Sequence, residues 1–382
     1  LKICYVSTYQ PQHCGIADYT DNLCQALLEG TKDTSITVAA EYDSSPLETE
    51  RLTCIPCFRR GEGYAENILR VIYKIKPDIV HIQHDYSVYG LSEEFLNFLG
   101  RLKVRKVVTM HEVHTPETPE KVSYGLENLP VNHKRLADLS DMLIVHSRGM
   151  SLWLRNYGVD GKKITIIPHG TPNIPVGEPS IAKRSLGFSE LDKIILSFGF
   201  IRHFKNDQLL IRAFKDVAAH ISNVKLVLAG GLHPYSSKID MEEASRRRIL
   251  VESLGLNEHV KLIEKYVPSE DIPILFTSAD VFVFLHDQPF MEVSGALHSA
   301  FGACKPIVAT SVPRFGEVGE VSPQTLIKPG DREGLVKVLI KILTDEGFAD
   351  DCRRRVAEYA ALTSWSRVAM QHYNLYKQLY KS

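Results

Sequence analysis

No stretch of this 382-residue chain approaches the ~18 consecutive apolar residues that a bilayer-crossing helix needs. Neither sign of charge prevails: 45 Lys+Arg stand against 46 Asp+Glu, and a formal net charge of −1 gives bulk nucleic-acid binding no support. No low-complexity segment interrupts the chain, and the sequence opens directly on a strand, LKICYVST, with no signal peptide visible, which predicts a cytoplasmic protein with at most peripheral contact at the inner face of a membrane. The cysteines are too scattered for a zinc site. Seven occur (Cys4, Cys14, Cys24, Cys54, Cys57, Cys304, Cys352), and the one CxxC, Cys54-Ile-Pro-Cys57, has no second pair and no nearby His cluster. It follows a strand-like LTCIP rather than opening a helix, so it reads as buried thiols in a reducing compartment.

What is present is alternation. Apolar runs of strand length at Ile3–Ser7, Ile36–Ala40, 79–83, Val107–Met110, Met142–His146 and Ile164–Pro168 are separated by helical patterns. Residues 170–190 are rich in Pro and Gly and poor in large apolar residues, and read as an interdomain linker. The alternation then restarts with strands at 194–198, 224–229, 260–263, 281–285, 307–310 and 325–327. This predicts two open α/β sheets of Rossmann-like type in series, without a residue-level repeat. Such sheets bind ligands at the carboxyl ends of their strands, which directs attention to the loops 8–18, 84–90, 111–119, 199–206, 230–238 and 286–296.

The loop after strand 194–198 is the most informative. It breaks at Gly199, presents Arg202 and Lys205, and leads into a helix, QLLIRAFKDV. Unpaired helix-terminal N–H groups beside two permanent cations suit a polyphosphate, although a solvated loop would read the same. Gly230-Gly231 after VKLVLA permits close backbone approach to a base or phosphate, or simply makes a tight turn. Ser294 with the amides of Gly295 and Ala296 opens a helix and offers an anion site, and Glu292 just before it can accept sugar hydroxyls. In the first half, two strands end in histidines: His81, Gln83, His84 and Tyr86 at the first, then His111 and His114 at the second. A strand-end histidine can bond a polar ligand or be satisfied by a backbone carbonyl. Metal binding by His81, His84, His111 and His114 lacks any carboxylate–histidine spacing in its favour.

Taken together, CGIADYT, VHIQHDYSVYG, VVTMHEVHTP, IIPHGTP, FGFIRHFKN, LVLAGG, ILFTSADVFVFL, SGALHSAFGACKPIVAT and TSWSRVAMQHYNLY resemble, in order and spacing, the retaining nucleotide-sugar-dependent glycosyltransferases of family 4 (group 1). The resemblance spans nearly the whole chain. It implies a GT-B fold: an acceptor-binding Rossmann-like domain over 1–175, a nucleotide-sugar-binding one over 190–362 facing it across a cleft, and a C-terminal helix over 363–382 crossing back. It assigns Arg202 and Lys205 to the donor diphosphate, His111 and Glu292 to the donor sugar, and Gly15, Gly199, Gly230, Gly231, Ser294, Gly295 and Ala296 to donor binding. His84, Tyr86 and His114, with loops 86–94 and 112–130, would lie on the side of a sugar, glycan or lipid-linked acceptor.

The expected reaction is hexosyl transfer with retention. It needs no cofactor and no metal, since no DxD-like motif appears in a fitting context. One departure stands out. The family's second glutamate falls on Ser299 or Ala300, and Cys304 replaces the usual glycine before Lys305-Pro306. An epimerase or phosphorylase of the same fold, or a nucleotide-sugar-binding paralogue without turnover, are the alternatives this leaves.

Overall fold

Strands and helices alternate along the chain as parallel-sheet architecture requires. The computed structural model describes every residue except Glu62, 119–127, 234–235 and Ser382. Part of the expected acceptor loop 112–130, and Pro234-Tyr235 of the loop after Gly231, therefore lie outside the described residues. The first half runs β1 (Lys2–Ser7), α1 (Gly15–Gly30), β2 (Ser35–Glu41), β3 (Leu47–Glu48), β4 (Leu52–Phe58), α2 (Tyr64–Ile75), β5 (Ile79–His84), α3 (Tyr86–Tyr89), α4 (Glu93–Arg101), β6 (Arg105–Met110), β7 (Glu112–Val113), α5 (Leu129–Leu139), β8 (Met142–Val145), α6 (Arg148–Asn156) and β9 (Ile164–Ile166). The second continues with α7 (Pro179–Ser185), β10 (Lys193–Phe198), α8 (Asp207–His220), β11 (Val224–Ala229), α9 (Lys238–Ser253), β12 (Val260–Ile263), α10 (Ile272–Ser278), β13 (Val281–Phe284), β14 (Met291–Glu292), α11 (Gly295–Gly302), β15 (Ile307–Thr310), α12 (Gly316–Val321), β16 (Leu326–Ile327), α13 (Arg332–Thr344), α14 (Glu346–Leu362) and α15 (Trp365–Lys381).

The chain divides into two compact units. Unit 1 comprises Leu1–Gly170, Pro289–Gly295 and Thr363–Ser382, and unit 2 comprises Thr171–Gln288 and Ala296–Leu362. In unit 1 the strands are ordered β3-β4-β2-β1-β5-β6-β8-β9, parallel except where β3 pairs with β4. Side chains alternate between the two faces of the sheet. Cys4 and Val6 therefore join one apolar cluster with Ile68, Phe95 and Leu136, whereas Ile3 and Tyr5 join another with Leu23, Leu27 and Tyr376. That second cluster also takes Trp365, Val368 and Ala369 of α15, so the C-terminal helix completes the core of unit 1.

Unit 2 has a six-stranded parallel sheet ordered β12-β11-β10-β13-β15-β16. Ile195 of β10 packs under Phe214 and Val217 of α8, and its neighbours Ile194 and Leu196 pack under Phe276 and Phe301 on the other face. Both faces being covered, the strands read as continuous apolar runs. The strand order reverses between β10 and β13, which makes the exits of those two strands the expected ligand crevice of this unit.

Two expectations need correction. The stretch 170–190 is not linker throughout, because Pro179 opens α7, Pro being pre-organised for a first helical position, and Ala182 and Lys183 of that helix are buried. Glu292 was expected in a loop of the second sheet. It lies in β14, which pairs antiparallel with β7 inside unit 1 and sets Glu292 opposite Glu112.

Candidate active site

In unit 2 the site grows from the end of β10. Gly199 turns out of the strand at φ +114° and donates its N–H to Ala229 O at 3.0 Å. Gly230 leaves β11 at φ +138° and donates to Ile263 O at 2.9 Å. A side chain could not follow there: a Cβ on Gly230 would sit 2.2 Å from Gly199 O, and one on Gly231 2.9 Å from the backbone of Lys265 and Tyr266. The two glycines are thus required by the close approach of neighbouring strand exits.

That approach aims two carbonyls at one cation. Lys205 Nζ donates to Gly199 O at 3.1 Å and to Phe198 O at 3.3 Å, and the residue is only 7% exposed. Burial lowers its pKa, against the pull of Asp207. A buried ammonium whose hydrogen bonds go to neutral carbonyls keeps capacity for an anion. A Cβ on Gly199 would meet Ala296 Cβ at 3.5 Å, so the first residues of α11 lie beside this turn.

Arg202 is positioned by a residue 38 positions away. Its Nη1 donates to Asp240 Oδ2 at 3.1 Å. The N–H of His203 donates to Asp240 Oδ1 at 3.0 Å, and its ring Nδ1 lies 2.9 Å from the same oxygen. Asp240 also closes the capping box of α9: Ser237 N–H donates to it at 3.1 Å, and its own N–H donates to Ser237 Oγ at 3.2 Å. Burial opposes the charged carboxylate, yet the bonds from His203 and Ser237 outweigh it and hold the group well below the usual range.

Asp240→Asn keeps the shape of this hub and removes its charge. It should raise the KM for donor roughly tenfold, the cost of about one charge-assisted hydrogen bond, and lower the melting temperature by several degrees, because the amide cannot accept every bond that His203 and Ser237 donate to the carboxylate. Steady-state kinetics beside a thermal melt checks this, and an unchanged KM would refute the positioning role.

In unit 1 the histidines form an interior network. His81, fully buried, bonds Tyr376 OH through Nδ1 at 2.5 Å and Thr109 Oγ1 through Nε2 at 2.7 Å. His84 Nε2 donates to Gly90 O at 2.8 Å, beneath the short helix α3. Tyr86 OH bonds His133 Nε2 at 2.6 Å, and its ring stacks on His114 with centroids 3.6 Å apart. Both ring nitrogens of His81 and the Nε2 of His84 are committed to these partners, while His84 Nδ1 is buried without a hydrogen-bond partner. Among the described residues no group of three or more His, Cys, Asp or Glu is arranged to hold a metal ion.

His84, Tyr86 and His114 are each 2% exposed or less, so they lie beneath the strand-end surface, where the sequence reading expected contact with an acceptor. The physical reason is Asp85, whose side chain caps α3 and folds that turn over β5.

His111 is held more openly, at the end of β6. Its Nε2 lies 2.8 Å from Gln83 Oε1, and its Nδ1 lies 3.4 Å from Nε2 of His146, whose Nδ1 donates to Ile167 O at 2.9 Å. Tyr19 packs edge-on against the His111 ring at 4.7 Å, and against His169 and Trp365 at 5.1 and 5.0 Å. Burial first, then His146, keeps the His111 pKa well below the ordinary value, so the ring is neutral. Glu292 lies near enough to His114 to act on its charge. Gly15 opens α1, where a Cβ would meet nothing within 4 Å and no side chain caps the helix. Ser294 is buried, and a Cβ on Gly295 would lie 3.6 Å from His169 Nε2.

Unit 1 should therefore be acid-labile. Burial, the first cause in each case, lowers His84, His114, His133 and His372 to about 4. For His114 this prevails although Glu112 Oε1 is 3.3 Å from Nε2. Unfolded histidines titrate near 6.5, so between about pH 6.5 and 4 the unfolded chain binds more protons than the folded one. Stability is fully present above that window and falls as pH drops through it, by about 1.4 kcal/mol per pH unit for each such imidazole. Melting temperatures between pH 7.5 and 4.5 should show the decline.

Residues 180–362 match the family model "Glycosyl transferases group 1", and residues 14–172 match "Glycosyltransferase Family 4". The chain belongs to the group 1, family 4 glycosyltransferases. Mannosylfructose-phosphate synthase of Agrobacterium fabrum is 25% identical over 358 residues, 85% of this chain and 76% of that one. The transferase spans less of other relatives: 46% of the putative glycosyltransferase YtcC of Bacillus subtilis and 21% of the mannosyltransferase WbdA of Escherichia coli. Sucrose-phosphate synthase of Thermosynechococcus elongatus superposes with a TM-score of 0.77 at 20% identity, over 100% of this chain and 99% of that one. Anabaena Alr3699/HepE in complex with UDP superposes with a TM-score of 0.75 at 15% identity, over 99% and 100%. The fold of the transferase is GT-B, with two Rossmann-like sheets. Among the described residues no helix is long and apolar enough to cross a membrane.

Within unit 2 the structure brings together Gly199, Gly230, Gly231, Arg202, Lys205 and Ala296. Within unit 1 it holds His111 against Gln83, and Glu292 opposite Glu112. Sequence reasoning missed Asp240 and His146. Of these, Asp240 left a legible trace, the Ser237-x-x-Asp240 capping signature.

Proposed function

We propose that this transferase moves a hexosyl group, of mannose or glucose type, from a nucleoside-diphosphate sugar to an acceptor hydroxyl with retention at the anomeric carbon. The observation that carries the reading is the buried ammonium of Lys205 at the β10 exit, beside Arg202 fixed by Asp240. In the transition state, negative charge grows on the departing diphosphate. Fixed cations in a site shielded from water stabilise that charge without reorganising when it appears. His111, neutral and held by Gln83, and Glu292 are the residues for the hydroxyls of the donor sugar, with Gly15 and Ser294 contributing amide-rich helix starts.

A diphosphate oxygen takes the acceptor proton, so the reaction needs no protein base, and Arg202 and Lys205 supply at the diphosphate the charge that a metal would otherwise bring. The names of the relatives support hexose donors, and Alr3699/HepE in complex with UDP supports a nucleoside-diphosphate leaving group. The acceptor is a sugar, a glycan or a lipid-linked sugar.

A panel of GDP- and UDP-hexoses, scored by thermal shift and nucleotide release, tests the reading. A glycoside with the donor's anomeric configuration is the expected product. An isomerised nucleotide sugar, or a sugar phosphate formed with phosphate, would replace it with an epimerase or phosphorylase. Donor binding without turnover for any acceptor would leave a binding paralogue.

A further inference from the structure

The crevice of unit 2 has a second wall. β13 ends at Phe284, and His286 follows it at the point where the strand order reverses. His286 is 5% exposed, and its Nδ1 is buried without a hydrogen-bond partner. Two rings hold it: Phe204 at 5.3 Å between centroids and Phe315 at 4.9 Å. Each is the sequence neighbour of a cation, Phe204 of Lys205 and Phe315 of Arg314.

The strand exits are tied together here. Thr310 Oγ1, at the end of β15, donates to His286 O at 2.5 Å. A single turn of 3₁₀-helix, Pro313–Phe315, then carries half-buried Arg314. Lys205 and His286 both register the Arg314 charge, so the three basic groups share one locality. Clustered cations repel one another, and a locality built to hold them at the ligand end of a parallel sheet is complementary to a multiply charged anion.

We propose that Arg314, set in place by His286 and Phe315, is the third cation of the donor diphosphate site. The assignment rests on the proposed function, since it takes a nucleoside diphosphate as the ligand. Arg202 and Lys205 come from one loop and Arg314 from another, so the anion is gripped from both sides of the switch point. Arginine's planar fork suits two phosphoryl oxygens at once. The additional grip also gives this chain an anchor for the leaving group where the family's second acidic residue is absent, at Ser299 or Ala300.

Isothermal titration of the full chain with UDP, GDP, the monophosphates and the nucleosides tests this, on wild type, Arg314→Gln, Arg314→Lys and Lys205→Ala. Arg314→Gln should weaken binding of the preferred diphosphate at least tenfold and leave nucleoside affinity unchanged, and Arg314→Lys should restore part of the loss. A ratio of diphosphate to nucleoside affinity equal to wild type in Arg314→Gln overturns the proposal. So does an equal loss for nucleoside and diphosphate, which a merely structural arginine would produce. If instead Lys205→Ala leaves diphosphate binding intact, or wild type binds no diphosphate, the functional reading itself has failed.

Discussion

Lys205→Met should give a folded chain whose turnover is lower by a factor on the order of a hundred to a thousand, the range for removing one preorganised transition-state contact. The charge it removes is buried, hydrogen-bonded to the carbonyls Gly199 O and Phe198 O, and drawn toward Asp207. Burying an ion costs several kcal/mol that such contacts only partly offset, and apolar replacements of buried charge are often neutral or stabilising. The melting temperature should therefore hold within a few degrees while kcat collapses, a separation that a mere packing residue would not show. Arg202→Ala should act in the same direction with less force on kcat, because Arg202 is more exposed and is held through Asp240. Single-turnover kinetics with the preferred nucleotide sugar, beside a thermal melt, decides the matter. A Lys205→Met chain that keeps wild-type turnover would sink the diphosphate assignment.

Gly230→Ala should have the largest effect on stability. At φ +138° an alanine is strained, and its Cβ would meet Gly199 O at 2.2 Å. The obstacle is backbone, so no side-chain rotation relieves it. Relief requires separating the exits of β10 and β11, whose pairing continues through Ile201 N–H to Gly231 O at 2.9 Å. Strain and overpacking together predict a loss of roughly 3–5 kcal/mol. For a unit of this size that lowers the melting temperature by about 10 °C. Activity should fall as well, since the displaced carbonyl of Gly199 is the one that holds Lys205. Gly15→Ala is the contrast, with open space around its Cβ and an unstrained backbone. Differential scanning calorimetry of the two variants reads the difference directly.

The long elements were legible because both sheets are covered on two faces, which prints each strand as a short apolar run between helical patterns. The two-residue strands β7 and β14 carry no such print. Their pairing is tertiary, and it moved Glu292 from the second sheet, where chain order suggested it, to unit 1. Proline count misled at 170–190, where Pro179 starts a helix instead of preventing one. At the site, Gly199, Arg202 and Lys205 were readable because turn, charge and helix start are contiguous. Asp240 was readable as a helix cap but not as part of the site, since what joins it to that loop is the packing of α9. The strand-end histidines were ambiguous, and the short helix capped by Asp85 decided for the interior at His84.

The interleaved chain path of unit 1 bears on synthesis. A ribosome releases residues 1–170 long before it reaches Pro289–Gly295 and Thr363–Ser382, which belong to the same unit. Until α15 emerges, the cluster around Tyr5, Tyr19 and Leu23 lacks Trp365, Val368 and Tyr376. The nascent first lobe must wait with that apolar face uncovered, while the second lobe can mature almost entirely beforehand.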